Sequence, residues 1–524
     1  MPKLITKTKS LCPECLKIID ADIIEKNNKV FIIKECKKHG KIEELYWGNY
    51  QMYEKAKKFA CDGHAQENPA IKKKDINCPF DCGLCKEHLS HSCLTNVVVT
   101  NRCDLNCWYC FFFAGKAGYI YEPTMKELRW MVRQIKKERP IAGDAIQITG
   151  GEPCLRDDLV KIIKMIKSEG FDHVQLNTDG IRLSQNLQLA KKISDAGVNT
   201  IYLSFDGVTA KTNPKNHWEV PGVLDNCRKS DIGIVLVPTV IKSVNDKEVG
   251  DIIRFGFKNN DVIRGVNFQP VSLVGRMPTK ERKKYRITIP DVIIEIEKHT
   301  GGEISRDDFY PVPSMMPISH FVEAFTGKPK YELSNHFACG MATYLFNDKD
   351  RIVPITRFVD IEGLLNYLEE KSIEIKNGGS KYWVAMKALR KLGSFVNEKK
   401  QPKGIKLKNI LFNAFIKHDY NSLGAFHHKS LFIGMMHFMD LYNYDIERVK
   451  RCDIHYTVPD KNQPIIPFCA FNVLPQLYRD KIQKKYGFSF KEWEKKTGKK
   501  MKDDVYKRSK ELIASVPFNH LTGK

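Results

Sequence analysis

Between Thr95 and Val271 the sequence alternates β-type and helical runs without interruption, and that alternation limits the fold more than any other feature. NVVVT reads as a buried strand. Met125 to Lys137 has helical periodicity with Thr124 as its cap, DAIQITG is a strand, and Leu155 to Gly170 is an amphipathic helix with Asp157 and Asp158 in its first turn. The pattern continues through DHVQLNT, a helix from Leu183 to Ala196, NTIYLSFDG, a helix from Pro221 to Lys229, GIVLVPTVI, a helix from Asp246 to Asn259, and GVNFQPV. Strict β/α alternation implies a parallel sheet with helices outside. Six such strands predict an α/β fold built on an open, partial (β/α)6 barrel, with reactive groups at the C-terminal ends of its strands.

The loop after the first of these strands reads Cys103-Asp-Leu-Asn-Cys107-Trp-Tyr-Cys110. Thiolates are the usual ligands of iron–sulfur clusters, and a cubane takes four, so three in one loop leave one iron open. The second strand ends in Gly150-Gly151-Glu152-Pro153. Glycines there allow close approach of a ligand to the backbone. Asn177, Asp206 and Thr239 end the next three strands, where they either line a cofactor or form turns, since Asn-x-Asp-Gly and Asp-Gly are turn sequences. On the cysteine spacing, on Tyr109 before the third cysteine and on the Gly-Gly-Glu-Pro element, the chain is identified as a member of the radical S-adenosylmethionine (SAM) superfamily. The resemblance implies a [4Fe–4S] cluster on Cys103, Cys107 and Cys110. It also implies SAM on the open iron, with its amino group held by the backbone and carboxylate of the glycine-rich element. Reductive cleavage of SAM then gives a deoxyadenosyl radical.

The chain has 16 cysteines, and most of the others also sit at ligand spacings. Cys78, Cys82, Cys85 and Cys93 suffice for a complete four-thiolate site, read as a second [4Fe–4S] cluster in preference to zinc. Cys12, Cys15 and Cys36 resemble a zinc-ribbon or rubredoxin-like knuckle for one zinc or iron ion. We place Cys61 as its fourth ligand, with His39 as the alternative of better local spacing. Cys339, Cys452 and Cys469 are dispersed and are assigned to a third cluster, with Cys154 or Cys227 as candidate fourth ligands. These landmarks divide the chain into a metal-binding module over 1–70, a cluster segment over 71–94, the barrel over 95–315 and a mixed, largely helical C-terminal auxiliary-cluster domain over 316–524. Residues 362–392 and 425–450 are its clearest helices.

The formal charge is 85 − 62 = +23, which attracts anions: nucleic acid, acidic lipid surfaces or phosphorylated substrates. No Arg-rich tract or nucleic-acid motif singles out the first, and no nucleic-acid partner is expected. The opening MPKLITKTKS lacks the apolar segment of a signal peptide, and no run reaches the roughly 18 apolar residues of a membrane span. Clustered cysteines without that signal predict a cytoplasmic metalloprotein.

The N-terminal knuckle, the run CPFDCGLCKEHLSHSCL, the barrel and the ending RCDIHYTVPDKNQPIIPFCAFNV together resemble the archaeal tetraether synthases along nearly the full length. That resemblance implies three [4Fe–4S] clusters, a mononuclear rubredoxin-like site and a reductant protein. It further implies C–C coupling of the methyl ends of archaeal diether phospholipids, using two SAM molecules per bond. Peripheral contact with an anionic membrane would follow, and Met435, Met436, Phe438 and Met439 would line an apolar tunnel unless they are core. The alternative within the same resemblance is a radical C-methyltransferase acting on a pterin of the methanopterin type.

Overall fold

The computed structural model of the chain describes residues 2–112, 114, 116–348, 351–408, 429–516 and 521. Its N-terminal module is a four-stranded antiparallel sheet, β1 (Lys3–Leu11), β2 (Ile18–Lys26), β3 (Lys29–Cys36) and β4 (Gly40–Trp47), in sequential order. Asn27 and Asn28 turn β2 into β3 with φ of 55° and 57°, the left-handed geometry that a two-residue hairpin needs. Helix α1 (Tyr50–Lys57) follows, and the Asn49 side chain caps it by accepting from Met52 N at 2.9 Å.

The barrel follows the alternation. Its parallel strands are β5 (Leu94–Thr100), β6 (Ala145–Gly150), β7 (His173–Thr178), β8 (Thr200–Ser204) and β9 (Gly233–Val237); a two-residue β10 (Thr239–Val240) and β11 (Ile263–Pro270) complete the set. Between them run α2 (Met125–Ile135), α3 (Leu159–Ser168), α4 (Ile181–Gln185), α5 (Leu187–Asp195), α6 (Val220–Arg228) and α7 (Val249–Lys258). Helix α2 starts at a full capping box of Thr124 and Glu127. The run expected as one helix from Leu183 is broken because Asn186 is extended and caps α5. Helix α3 begins later than expected because Pro153–Leu155 forms a 3-10 turn capped by Glu152.

The C-terminal segment extends this sheet at both edges. Its strands are β12 (Tyr310–Pro311), β13 (Gly340–Asp348), β14 (Arg351–Pro354), β15 (Ser430–Met436), β16 (Ile454–Thr457) and β17 (Ile465–Pro467). β15 pairs parallel with β11 and β16 pairs parallel with β5, so the parallel run is β15-β11-β9-β8-β7-β6-β5-β16. Antiparallel β13 and β17 flank it. The expected helices over 362–392 are present as Ile361–Lys376 and Lys381–Leu392. The expected helix over 425–450 is not one helix: 425–428 lie outside the described residues, Lys429 is helical, 430–436 are strand, and Ile446–Lys450 form a short helix. A short apolar run has the same appearance in a central strand and a buried helix. Here Leu431 and Ile433 are fully buried between β11 and β13.

The module is fastened to the barrel by a buried ionic cluster. Arg286 donates to both Asp440 oxygens at 2.9 and 3.1 Å, and its Nε lies 2.8 Å from Glu44 Oε1 on β4. Burial alone would raise the Asp440 carboxyl, but Arg286 holds it below its ordinary value. Arg286→Ala leaves buried Asp440 without its cation, while Glu44 keeps only Arg282 at 2.9 Å. It is expected to destabilise the chain by about 3–5 kcal/mol, read from anaerobic urea unfolding; a loss under 1 kcal/mol would show that the cluster does not hold the module.

Candidate metal and cofactor site

One cavity opens at the C-terminal ends of the strands, and most of the residues expected to bind the cluster and SAM converge on it. Cys103, Cys107, Tyr109 and Cys110 line it from the loop after β5, and Gly150, Gly151 and Glu152 from the end of β6. Asn177 and Thr239 stand on its wall, with Asn177 Nδ2 donating to Thr149 Oγ1 at 3.3 Å. Pro153 and Asp206 are not part of that wall. Pro153 opens the 3-10 turn. Asp206 sits behind, accepting from Thr239 N at 3.0 Å, from the Tyr109 hydroxyl, and pairing with Lys215 at 2.6 Å. Lys215 also lines the cavity and helps hold the Cys107 thiol down against burial, which pushes it to about 11. Its loop carries no motif that would single it out from sequence alone.

The two glycines act differently from the expectation. Gly151 N donates to Thr100 O at 2.8 Å and Glu152 N to Arg102 O at 2.7 Å. A Cβ on Gly150 or Gly151 would lie 2.0 Å from the Thr100 or Arg102 carbonyl oxygen, and Gly150 has φ of +147°. The close approach is therefore between this element and the cysteine loop. Both Glu152 oxygens are also engaged by the chain itself: Cys154 N and Thr178 Oγ1 donate to one, and Asp179 N to the other, at 2.8–2.9 Å. Burial raises three neighbouring carboxyls, Asp104 to about 9, Asp179 to about 8 and Glu152 to about 7, each raised further by another of the three. Asp179 Oδ2 accepts from no N–H donor among the described residues and stands beside the Asp104 carboxyl. An acidic pocket with an oxygen that no N–H donor reaches, beside three thiols of which Cys103 is close to Asp104 and Asp179, suits a cluster plus a cationic ligand such as SAM.

The knuckle closes with His39. Cys12, Cys15, Cys36 and His39 place one ligand atom each within 4.8 Å of one another, with His39 Nδ1 at 3.4 Å from Cys12 Sγ and 3.5 Å from Cys36 Sγ. The Lys38 backbone N–H, ahead of burial in effect, pulls the Cys36 thiol down to about 6, which favours the thiolate. Cys61 is corrected: it lies past α1 and donates to Asp62 O at 3.5 Å, away from this group. Three sulfurs and one imidazole are a zinc donor set.

Cys78, Cys82 and Cys85 line one small cavity, but Cys93 turns away and donates to Glu332 O at 2.6 Å. Burial raises the Cys452 thiol, and Cys469 and then Cys339 raise it further, which places these three sulfurs in one neighbourhood. Cys469 in turn lines the main cavity. Cys154 packs 3.6 Å from Thr178 Oγ1 beside Glu152, and Cys227 is buried on α6, so neither supplies a fourth ligand to the C-terminal set. Of the expected apolar tunnel, Phe438 and Met439 line the cavity; Met435 is core and Met436 is half-buried on β15.

The chain is similar to known proteins over defined stretches. The family model of the radical SAM superfamily matches residues 97–256, and that of the HMPTM N-terminal zinc ribbon domain matches residues 4–48. A 7,8-dihydro-6-hydroxymethylpterin dimethyltransferase of Methanocaldococcus jannaschii is 45% identical over 502 residues, 93% of this chain and 97% of the relative. A probable GTP 3′,8-cyclase of the same organism is 28% identical over 217 residues, 40% of this chain and 68% of the relative. The hydrogenase maturase HydG aligns with a TM-score of 0.34 at 14% identity, over 41% of this chain and 50% of its own. The full-length relative overturns the expected tetraether synthesis and its diether phospholipid partner, since its name makes it a dimethyltransferase of a pterin. No helix among the described residues is long and apolar enough to cross a membrane.

Two outcomes check the site. Cys61→Ala is expected to keep the mononuclear metal while His39→Ala loses it, by elemental analysis of the anaerobic protein; metal loss in Cys61→Ala alone would reverse the assignment. Gly151→Ala should weaken SAM binding about tenfold or more, roughly 1.4 kcal/mol, in equilibrium dialysis.

Proposed function

We propose, on the premise that the chain belongs to the radical SAM superfamily and to the family of the 7,8-dihydro-6-hydroxymethylpterin dimethyltransferase, that it is a radical C-methyltransferase acting on a methanopterin-type pterin precursor. The likeness to that relative along its whole length carries the reading. The cavity supports it. A pterin is flat, with an edge of hydrogen-bond donors and acceptors. Phe438 and Phe468 stack at 3.8 Å on the wall, Phe111 stands 6.1 Å from Phe468, and the amides of Asn177, Gln269 and Asn472 line the same space.

Cys103, Cys107 and Cys110 would hold the cluster, and when bound with SAM it supplies a deoxyadenosyl radical able to take hydrogen from an unactivated C–H bond. The chain's own residues do the rest. Asp104, Asp179 and Glu152 draw the cationic ligand to the Cys103 side of the cavity. The Tyr109–Asp206–Lys215 network fixes the loop between Cys107 and Cys110 against the end of β8. The aromatic wall excludes water. Cys78, Cys82 and Cys85 as one set, and Cys339, Cys452 and Cys469 as another, are read as sites for two further iron–sulfur centres, and a low-potential reductant in a reducing cytoplasm would serve them.

The test is anaerobic. Reconstituted protein, dithionite and SAM are incubated with 7,8-dihydro-6-hydroxymethylpterin, and mass spectrometry follows the pterin and deoxyadenosine. A pterin heavier by one or two methyl groups is expected, each methyl coming from a second SAM that leaves as S-adenosylhomocysteine, with the methylated pterin and the deoxyadenosine both lost in Cys103→Ala. Deoxyadenosine accumulating over an unmethylated pterin would defeat the pterin reading while leaving the radical chemistry intact.

A further inference from the structure

Arg448 is one of the largest fully buried side chains, 1% exposed, on the short helix Ile446–Lys450. A buried guanidinium ordinarily meets a carboxylate. Arg448 meets none among the described residues. Its Nε donates to Cys339 Sγ at 3.3 Å, one terminal nitrogen donates to His437 O at 2.7 Å, and the other, Nη1, has no hydrogen-bond partner among the described residues. The groups whose charge favours its cationic form are led by the Cys339 thiol, with Tyr46 and Cys469 after it. Two more buried polar groups stand unpartnered nearby: the Tyr444 hydroxyl, which faces Cys82, Cys78 and Cys469, and the His437 ring, which faces Arg448.

An uncompensated buried cation costs several kcal/mol, so the fold keeps it only where an anion is present in the working protein. Three thiolates around iron and sulfide carry such a charge, and their sulfurs accept hydrogen bonds. We propose that Arg448 is the counter-cation of an iron–sulfur centre held by Cys339, Cys452 and Cys469, and that its charge raises the reduction potential of that centre. The proposal rests on the reading of these three cysteines as cluster ligands. Adding one electron to a centre makes it more negative by one charge. A fixed cation in hydrogen-bond contact with a ligand sulfur therefore stabilises the reduced form more than the oxidised one. Because Cys469 also lines the main cavity, Arg448 sets the potential of the centre that stands at its wall.

The experiment is a redox titration of the anaerobically reconstituted full chain, with dithionite as the one-electron source, followed by electron paramagnetic resonance with iron and sulfide counts. Cys339→Ala and Cys469→Ala identify which signal belongs to this centre; if neither removes a signal or iron, the cluster reading itself falls. Arg448→Gln is expected to keep the iron and shift that signal to lower potential by at least about tenfold in the reduction equilibrium, about 59 mV for one electron. Arg448→Lys, which keeps the charge, should stay near wild type. Loss of the centre's iron in Arg448→Gln with retention in Arg448→Lys would also support a counter-cation. The proposal is overturned if Arg448→Gln titrates as wild type with its iron intact, or if both variants shift or lose the centre equally, since the effect would then be packing and not charge.

Discussion

Two backbone hydrogen bonds without room for a side chain between them fix the geometry of the site. Where Gly151 and Glu152 donate to Thr100 and Arg102, the end of β6 is pressed onto the start of the cysteine loop. A methyl group at either glycine would overlap a carbonyl oxygen. The loop carrying Cys103 to Cys110 has little regular structure of its own, so its position comes from this junction and from the ties of Tyr109 to Asp206 and Lys215. Glu152, which has the appearance of a ligand-binding carboxylate in sequence, spends both oxygens on ordering the backbone around it.

Charge tells a different story at the surface and in the cavity. The chain is strongly basic as a whole, which suggests an anionic partner. The cavity reverses the sign, with Asp104, Asp179 and Glu152 crowded beside Cys103. Three carboxyls so close cannot all ionise without a cation among them. A net charge summed over 524 residues reports on solubility and long-range attraction, and says nothing about a pocket that holds a sulfonium ligand.

Regular patterns were legible and long-range encounters were not. The six barrel strands, their helices and the Cys-x3-Cys-x2-Cys loop were readable because period-2 and period-3.6 hydrophobicity and ligand spacing are local. The run at 430–436 misled because a short apolar stretch does not declare its own geometry; its place between β11 and β13 does. Spacing also groups Cys93 with Cys78, Cys82 and Cys85, whereas its sulfur donates to Glu332 O, a partner 239 residues away that local spacing does not announce. Spacing favours His39 over Cys61 as the fourth knuckle ligand, and the β3–β4 turn decides for His39. Asp104 and Asp179 lay within motifs already singled out but read as spacer and turn, and Lys215 had no signal. The tetraether reading rested on a shared layout of cysteines, which many chemistries can use, and the full-length relative corrects it.

The placement of β15 and β16 has a consequence for synthesis. Strands β5 and β11, the first and last of the barrel run, find their outer neighbours only in residues 430–436 and 454–457. A chain emerging from the ribosome therefore completes its central six strands while both borders remain open to wrong partners, and stays so until residues 430–457 are made. Cys452 and Cys469 lie in and just after that late segment, so these two thiols join the fold only as the barrel is sealed.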